Sequence, residues 1–298
     1  MHSRSRSACW DSKSPSCRCT RSEKRRRNTL LHTLRRLLVR TWNLFHGSAV
    51  PRGRRAFLEE MVRLASADKP DILCLQEVPA WALDRLRRWS GMTAFGDVAS
   101  RPRLGAWLGR AVTALDHSLF RSAFAGQGNA ILLGRELRAL ERRRLVLNPR
   151  AFRRERARML GLDGRTQLAW ARERRICQAL RVERAGASTL VVANLHATSH
   201  RDGRLPAAEV GRAAEFVAHF ALVGEPRVLA GDFNVSIRSE ALQELLGPAG
   251  GYGSAGPGID HVLVAGLPAS AADVWPLERR QAHGQLLSDH APVEVRIR

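Results

Sequence analysis

A chain of 298 residues with 44% hydrophobic content is long enough for one large domain or two small ones and holds the apolar material for a core. No run approaches the roughly 18 apolar residues that a membrane helix needs, and the charged N-terminus lacks the apolar segment of a secretory signal. A formal net charge of +21 points to phosphate-bearing polymers or anionic membrane surfaces as partners.

Met1 to about Asn28 is rich in Arg and Ser, with few large apolar groups. Leu30, Leu31 and Leu34 then show helical spacing, and residues 1–36 together are expected to be a disordered basic extension. The extension is a nucleic-acid-binding arm or a functionless product of an upstream start, and the second reading is favoured. Residues 37–298 are expected to form the domain, with the first strand from Leu37. Arg54 to Asp68 is an amphipathic helix with Phe57, Met61 and Leu64 on one face, and Pro70 stops it. A strand at 72–76, a helix over Ala80 to Trp89 and a strand at Gly128–Leu133 follow. The segment Gly96 to Gly126 is ambiguous, and Asn129 is either near substrate or a turn residue. Leu145 to Arg175 reads as a loop with one short helix, Pro149 to Met159. Strands over 175–182 and 189–195 are antiparallel neighbours. A helix over Ala207 to Val223, a short helix over Glu240 to Leu246, a glycine-rich loop to Gly258 and strands at 260–264 and 291–297 complete the chain.

Charge is not spread evenly. Arg135 to Arg184 holds sixteen Arg against six acids, a net +10. A run such as Arg153-Arg154-Glu155-Arg156-Ala157-Arg158 is either a solvated face or a clamp beside a phosphate site. Cys74 and Cys177 fall in strands as buried apolar residues, and Cys17 and Cys19 are poorly spaced for zinc. No disulfide framework is visible among the five cysteines, so a reducing, cytoplasmic location is expected.

Polar residues recur where apolar runs end. Val228-Leu229-Ala230-Gly231-Asp232-Phe233-Asn234 places Asp232 and Asn234 two apart, on one side of an extended backbone. Such groups are costly at the end of a buried strand unless a metal, a phosphate or a catalytic partner pairs with them; an Asx turn is the plain alternative. Similar endings are Thr41-Trp42-Asn43, Leu75-Gln76-Glu77, Ala193-Asn194-Leu195-His196, Ile259-Asp260-His261 and Ser288-Asp289-His290. In these six, taken in order from Leu37 to Arg298, the chain resembles the endonuclease/exonuclease/phosphatase superfamily, which includes pancreatic deoxyribonuclease, apurinic-site endonucleases, sphingomyelinases and inositol polyphosphate phosphatases. The alternation of strands and helices argues for an α/β fold with mixed sheets. The resemblance implies a four-layer sandwich of two packed mixed sheets flanked by helices, with the site where strand ends gather.

The resemblance also implies roles. Hydrolysing a phosphate ester requires charge neutralisation, an activated water and a stabilised leaving oxygen. Asn43 and Glu77, completed by Asp289, would hold Mg²⁺, with Mn²⁺ as a substitute. Asp232 would orient or deprotonate water, and Asn234 would donate to a phosphate oxygen. His290, paired with Asp260, would act charged, His196 would assist the leaving group, and Asn194 would contact phosphate or support the site. His261 points away and is structural; Trp42 and Phe233 belong to the core. Tyr252 lies in the glycine-rich loop, which weighs against the abasic-site subgroup. The expected function is a Mg²⁺-dependent phosphodiesterase, with nucleic acid the favoured substrate. Phospholipid or inositol phosphate is the alternative substrate, a catalytically dead binding module the third reading, and a monomer is expected.

Overall fold

The computed structural model describes residues 36–53, 55–101, 126–184, 186 and 188–298. The expected N-terminal disorder and most of the ambiguous 96–126 stretch lie outside the described residues.

In chain order the strands are β1 (Leu37–Asn43), β2 (Ala49–Val50), β3 (Ile72–Val78), β4 (Thr93–Ser100), β5 (Gln127–Leu133), β6 (Leu137–Val146), β7 (Ile176–Arg184), β8 (Leu190–His196), β9 (Arg227–Asp232), β10 (Tyr252–Gly253), β11 (Asp260–Ala265), β12 (Asp273–Val274), β13 (Gln281–Ala282), β14 (Gln285–Leu287) and β15 (Val293–Ile297). The helices are α1 (Leu58–Ser66), α2 (Leu86–Ser90), α3 (Arg150–Met159), α4 (Gly164–Ala171), α5 (Arg204–Phe220) and α6 (Glu240–Leu246). None is long and apolar enough to cross a membrane among the described residues.

Two six-stranded sheets form, in the orders β12-β15-β1-β3-β5-β4 and β10-β11-β9-β8-β7-β6. Each is mixed: β1 runs parallel to β3 and β8 parallel to β9, and their other neighbours are antiparallel. Alternation decides which residues meet between the sheets. Val39, Ile72, Cys74, Ile131, Leu180, Val192, Val228, Val262 and Val295 form that inner layer. The opposite face of the first sheet packs Trp42, Leu73, Leu75 and Leu132 on Met61, Val62 and Leu86 of α1 and α2. The opposite face of the second packs Val191, Leu195 and Leu229 on Val210, Val217 and Phe220 of α5. These are the four layers that the resemblance implies. Cys74 and Cys177 are buried free thiols, and burial pushes both up from their usual range.

Three departures from the sequence reading have physical causes. The residues before the expected loop, Leu137–Val146, to which the sequence reading gave no element, form an edge strand, β6. Half of its side chains are exposed, and charges on an edge strand discourage further pairing. A second helix, α4, follows α3; Asp163 caps it by accepting from Thr166 N. Helix α5 begins at Arg204 rather than Ala207, because Pro206 sits in the first turn, where a missing N–H costs nothing.

Candidate active site

The inner layer changes character along its length. In β1, β3, β8 and β9 the inward positions start apolar and end polar: Val39 then Thr41 and Asn43, Cys74 then Gln76, Val192 then Asn194 and His196, Ala230 then Asp232. β11 runs the other way and begins with Asp260 opposite Asp232. The polar ends therefore gather at one edge of the sandwich. Gly231 makes this approach possible. Its φ is +139°, and a Cβ there would lie 2.0 Å from the Leu195 carbonyl oxygen.

On one side stands His290. Its Nδ1 lies 2.8 Å from Asp260 Oδ2, and its Nε2 lies 4.0 Å from Asp232 Oδ2 and 4.0 Å from Asp289 Oδ1. The backbone beneath it is fixed. Trp42 Nε1 and Arg280 Nη1 both donate to the His290 carbonyl at 3.0 Å, and Ser288 Oγ donates to the Asn43 carbonyl at 2.7 Å. Burial pulls the His290 pKa down, but the Asp260 hydrogen bond and charge, with Asp232 and Asp289 nearby, push it up to about 10. His290 is therefore an imidazolium at neutral pH.

On the other side stands His196. Its Nε2 lies 3.4 Å from Asp232 Oδ2 and 3.8 Å from Glu77 Oε1. Arg175 Nη1 lies 3.0 and 2.9 Å from its two ring nitrogens. Burial, then the Arg175 charge, hold His196 well below the usual histidine value, so the ring is neutral.

Between them, Asp232 Oδ2 accepts from Asn43 Nδ2 at 2.9 Å and its Oδ1 accepts from Asn234 N at 3.0 Å. Asn43 Nδ2 also reaches Glu77 Oε1 at 3.3 Å, and Asn43 Oδ1 accepts from Phe45 N. Asn43 thus enters the cluster as a donor to two carboxylates, with its oxygen turned to Phe45 N. Asn234 Nδ2 donates one hydrogen to the Ala197 carbonyl at 3.1 Å. Phe45, His46, Glu77, Asn234 and Ser288 all have positive φ. Such backbone is uncommon outside glycine and clusters where a site holds its side chains in place.

Of the two roles open to Asn194, contact with phosphate or support of the site, its hydrogen bonds agree with support. It is fully buried, its Nδ2 donates to the Leu75 and Ala130 carbonyls at 2.9 Å each, and its Oδ1 accepts from Gln76 at 2.7 Å. It ties one sheet to the other and has no face for a phosphate. Asn129 does the same further along, donating to the Ile176 carbonyl at 3.2 Å. His261 turns outward against Phe233, ring centroids 5.0 Å apart. Sequence reading missed His46, whose Nε2 lies 3.3 Å from Glu77 Oε2, and Arg175. The signal for His46 was its place three residues beyond Asn43; Arg175 gave none that set it apart from the arginines around it.

Four carboxylates, Glu77, Asp232, Asp260 and Asp289, crowd this edge. Burial, then Asp260 and Glu77, raise Asp232; burial and Glu77 raise Asp289. An oxygen-rich set under mutual repulsion suits a hard divalent cation. Asp232, Asp260 and His290 offer atoms within 4.8 Å of one another. His290 is a poor ligand there, because a protonated ring bound to Asp260 has no lone pair to give. Glu77 and Asp289 remain as the carboxylates free of that pair.

The sequence profile of the Endonuclease/Exonuclease/phosphatase family matches residues 41–290. No curated protein sequence matches the chain significantly. Among solved structures, an endonuclease/exonuclease/phosphatase from Bacteroides vulgatus is similar over 89% of this chain and 99% of its own, at 16% identity and a TM-score of 0.62. The human Nocturnin catalytic domain with bound sulfate anion is similar over 88% and 94%, at 15% identity and 0.60. The Bacteroides thetaiotaomicron mannosyl-6-phosphatase is similar over 88% and 99%, at 15% identity and 0.56. At these identities the structural likeness speaks for the fold.

Proposed function

This chain belongs to the endonuclease/exonuclease/phosphatase family and is a hydrolytic phosphoesterase, and from that premise we propose that it is a Mg²⁺-dependent phosphodiesterase acting on nucleic acid. The observation that carries the reading is the approach of Asp232 to an imidazolium, His290, 4.0 Å apart at the polar edge of the sandwich. A carboxylate that can take a proton from water and a fixed cation that can donate to developing charge are what attack on a phosphodiester needs.

Glu77 and Asp289 would hold Mg²⁺, which supplies charge neutralisation at the phosphate. Asp232, fixed by Asn43 and the Asn234 N–H, orients the attacking water and draws off its proton. His290 Nε2–H donates to a phosphoryl oxygen as charge builds there, with Asp260 holding the ring at Nδ1. The uncommitted N–H of Asn234 donates to a second phosphoryl oxygen. His196, neutral and buried, offers one hydrogen bond toward the leaving oxygen.

The test is a panel with Mg²⁺: plasmid DNA, RNA, sphingomyelin, inositol phosphates and a hexose 6-phosphate. Turnover of DNA or RNA is expected, and turnover confined to the lipid, inositol or hexose substrates would overturn the substrate class. Glu77→Gln, which keeps shape and loses charge, should abolish Mg²⁺-dependent turnover and weaken Mg²⁺ binding in calorimetry. A folded Glu77→Gln protein with full activity and unchanged Mg²⁺ binding would remove Glu77 from the metal site.

A further inference from the structure

The arginines of the basic segment fall into two groups. On the strands they are neutralised: Arg138 pairs with Glu183 at 2.7 Å, Arg142 with Asp97 at 2.9 Å, Arg143 with Glu141 at 2.8 Å and Arg181 with Glu225 at 3.1 Å. The α3–α4 hairpin, inserted between β6 and β7, is different. Among the described residues, Arg150, Arg154 and Arg158 pair with no carboxylate, and all three are exposed. They stand at i, i+4 and i+8, one stripe of α3. Like charges at that spacing destabilise a helix, so the stripe is a standing cost that folding alone does not explain.

The hairpin turns its apolar side inward. Phe152, Ala157, Leu162 and Trp170 pack with Leu205 of α5 in a small core of their own. Trp170 Nε1 donates to the buried Glu209 at 2.6 Å, and Asn148 closes the base by donating to the Glu173 carbonyl at 2.8 Å and accepting from Arg175 N at 2.9 Å. The stripe is thus mounted on a fixed element. A cleft of about 680 Å³ lies on the other side of α3 and is lined by none of the three stripe arginines. Arg156 and Leu160 line its α3 end, Arg204 of α5 lines one flank, Glu240 and Glu244 of α6 the other, and Asn234 its inner rim.

We infer that the α3 stripe docks a single strand of nucleic acid, with Arg150, Arg154 and Arg158 on successive phosphates. Guanidinium forks suit phosphate oxygens. An anionic bilayer fits less well. Both aromatics of the hairpin are buried, which leaves only Met159 and Leu168 exposed there, whereas interfacial helices insert a broad apolar face. The inference rests on the phosphodiesterase reading for the docked strand being substrate, not for the existence of the stripe.

The test measures binding of a labelled single-stranded DNA or RNA oligonucleotide in chelator, as a function of salt. Arg150→Gln/Arg154→Gln/Arg158→Gln should flatten the log–log salt slope by about 2, three contacts at roughly 0.7 each. The corresponding triple Lys variant should restore most of the slope. Arg138→Gln/Arg143→Gln, which removes paired arginines from β6, should change it little. Circular dichroism checks the fold of each variant. An unchanged slope in the triple Gln variant overturns the docking site, as does a loss confined to phosphatidylserine vesicles. If nucleic acid is cleaved while the slope is unchanged, the docking site fails and the proposed function stands. If the slope falls but no nucleic acid is cleaved, the docking site stands and the substrate reading fails.

Discussion

Two histidines share this site and are held in opposite ways. On the β11 side His290 bonds Asp260 at 2.8 Å and is charged. On the β7–β8 side His196 lies 2.9 Å from the Arg175 guanidinium and is neutral. Burial lowers the pKa of both; the sign of the partner decides the outcome. Environments that drive two like groups apart assign them different work. The site thus holds one cationic donor and one neutral ring, and neither can stand in for the other.

The largest effect expected from this contrast is on rate. His290→Ala should lower kcat/KM at neutral pH by at least about a hundredfold, the low end for a general acid–base group. His196→Ala should cost roughly tenfold, about 1.4 kcal/mol, the loss of one hydrogen bond. Steady-state kinetics with Mg²⁺ measures both. Equal losses would break the contrast and give His196 a role as central as that of His290.

The next effect is a displacement along the pH axis. The folded pKa of His290 is raised to about 10, so activity that needs the imidazolium is full below that value and falls as pH rises through it. The stability that the pair contributes has the same sign: fully present below the unfolded value near 6.5, lost as pH climbs toward 10. Asp260→Asn keeps the shape and removes the charge, while burial goes on pulling downward. The high-pH limb of the kcat/KM profile should move to lower pH. The double variant Asp260→Asn/His290→Ala should be little worse than His290→Ala alone, because the acid acts through the ring. Additive losses would give Asp260 a separate task, such as holding metal.

How much of this was legible beforehand depends on what kind of information each residue carries. The strand ends were readable because the switch from apolar to polar keeps the two-residue period: Val192, Asn194 and His196 share a face whatever the fold around them. The four layers followed from the resemblance, and the inward alternation agrees with them. What each polar group does was less readable. Asn194 and Asp232 look alike as strand-end residues, yet one is spent on the carbonyls of Leu75 and Ala130 while the other faces the site. That difference depends on which strand of the other sheet lies opposite, and no local pattern encodes it. β6 was hidden because only one of its side chains, Leu137, is buried, which leaves no hydrophobic alternation to read. Arg175 was hidden among fifteen other arginines of the same segment, and only the β7–β8 register brings it to His196.

The smallest effect expected is at Arg175, and it isolates the other half of the contrast. Nη1 lies almost equally far from both ring nitrogens, so the guanidinium caps the imidazole rather than serving one lone pair. Its charge is the second cause of the depressed pKa, after burial. A ring that must be neutral loses function as pH falls through its folded value. In Arg175→Gln the charge goes and the burial stays, so that value should rise only part of the way. The low-pH limb of kcat/KM should move to higher pH, the high-pH limb should stay, and the loss at the optimum should be less than about tenfold, under ~1.4 kcal/mol. Arg175→Lys keeps the charge while giving up the fork that binds Glu173 at 2.6 Å, so its low-pH limb should lie close to the parent's. Combined with Asp260→Asn, the Gln variant should narrow the active window from both sides. A low-pH limb that moves as far in the Lys variant as in the Gln variant would show that Arg175 acts on His196 by packing, and the contrast of partner charge would then hold for His290 alone.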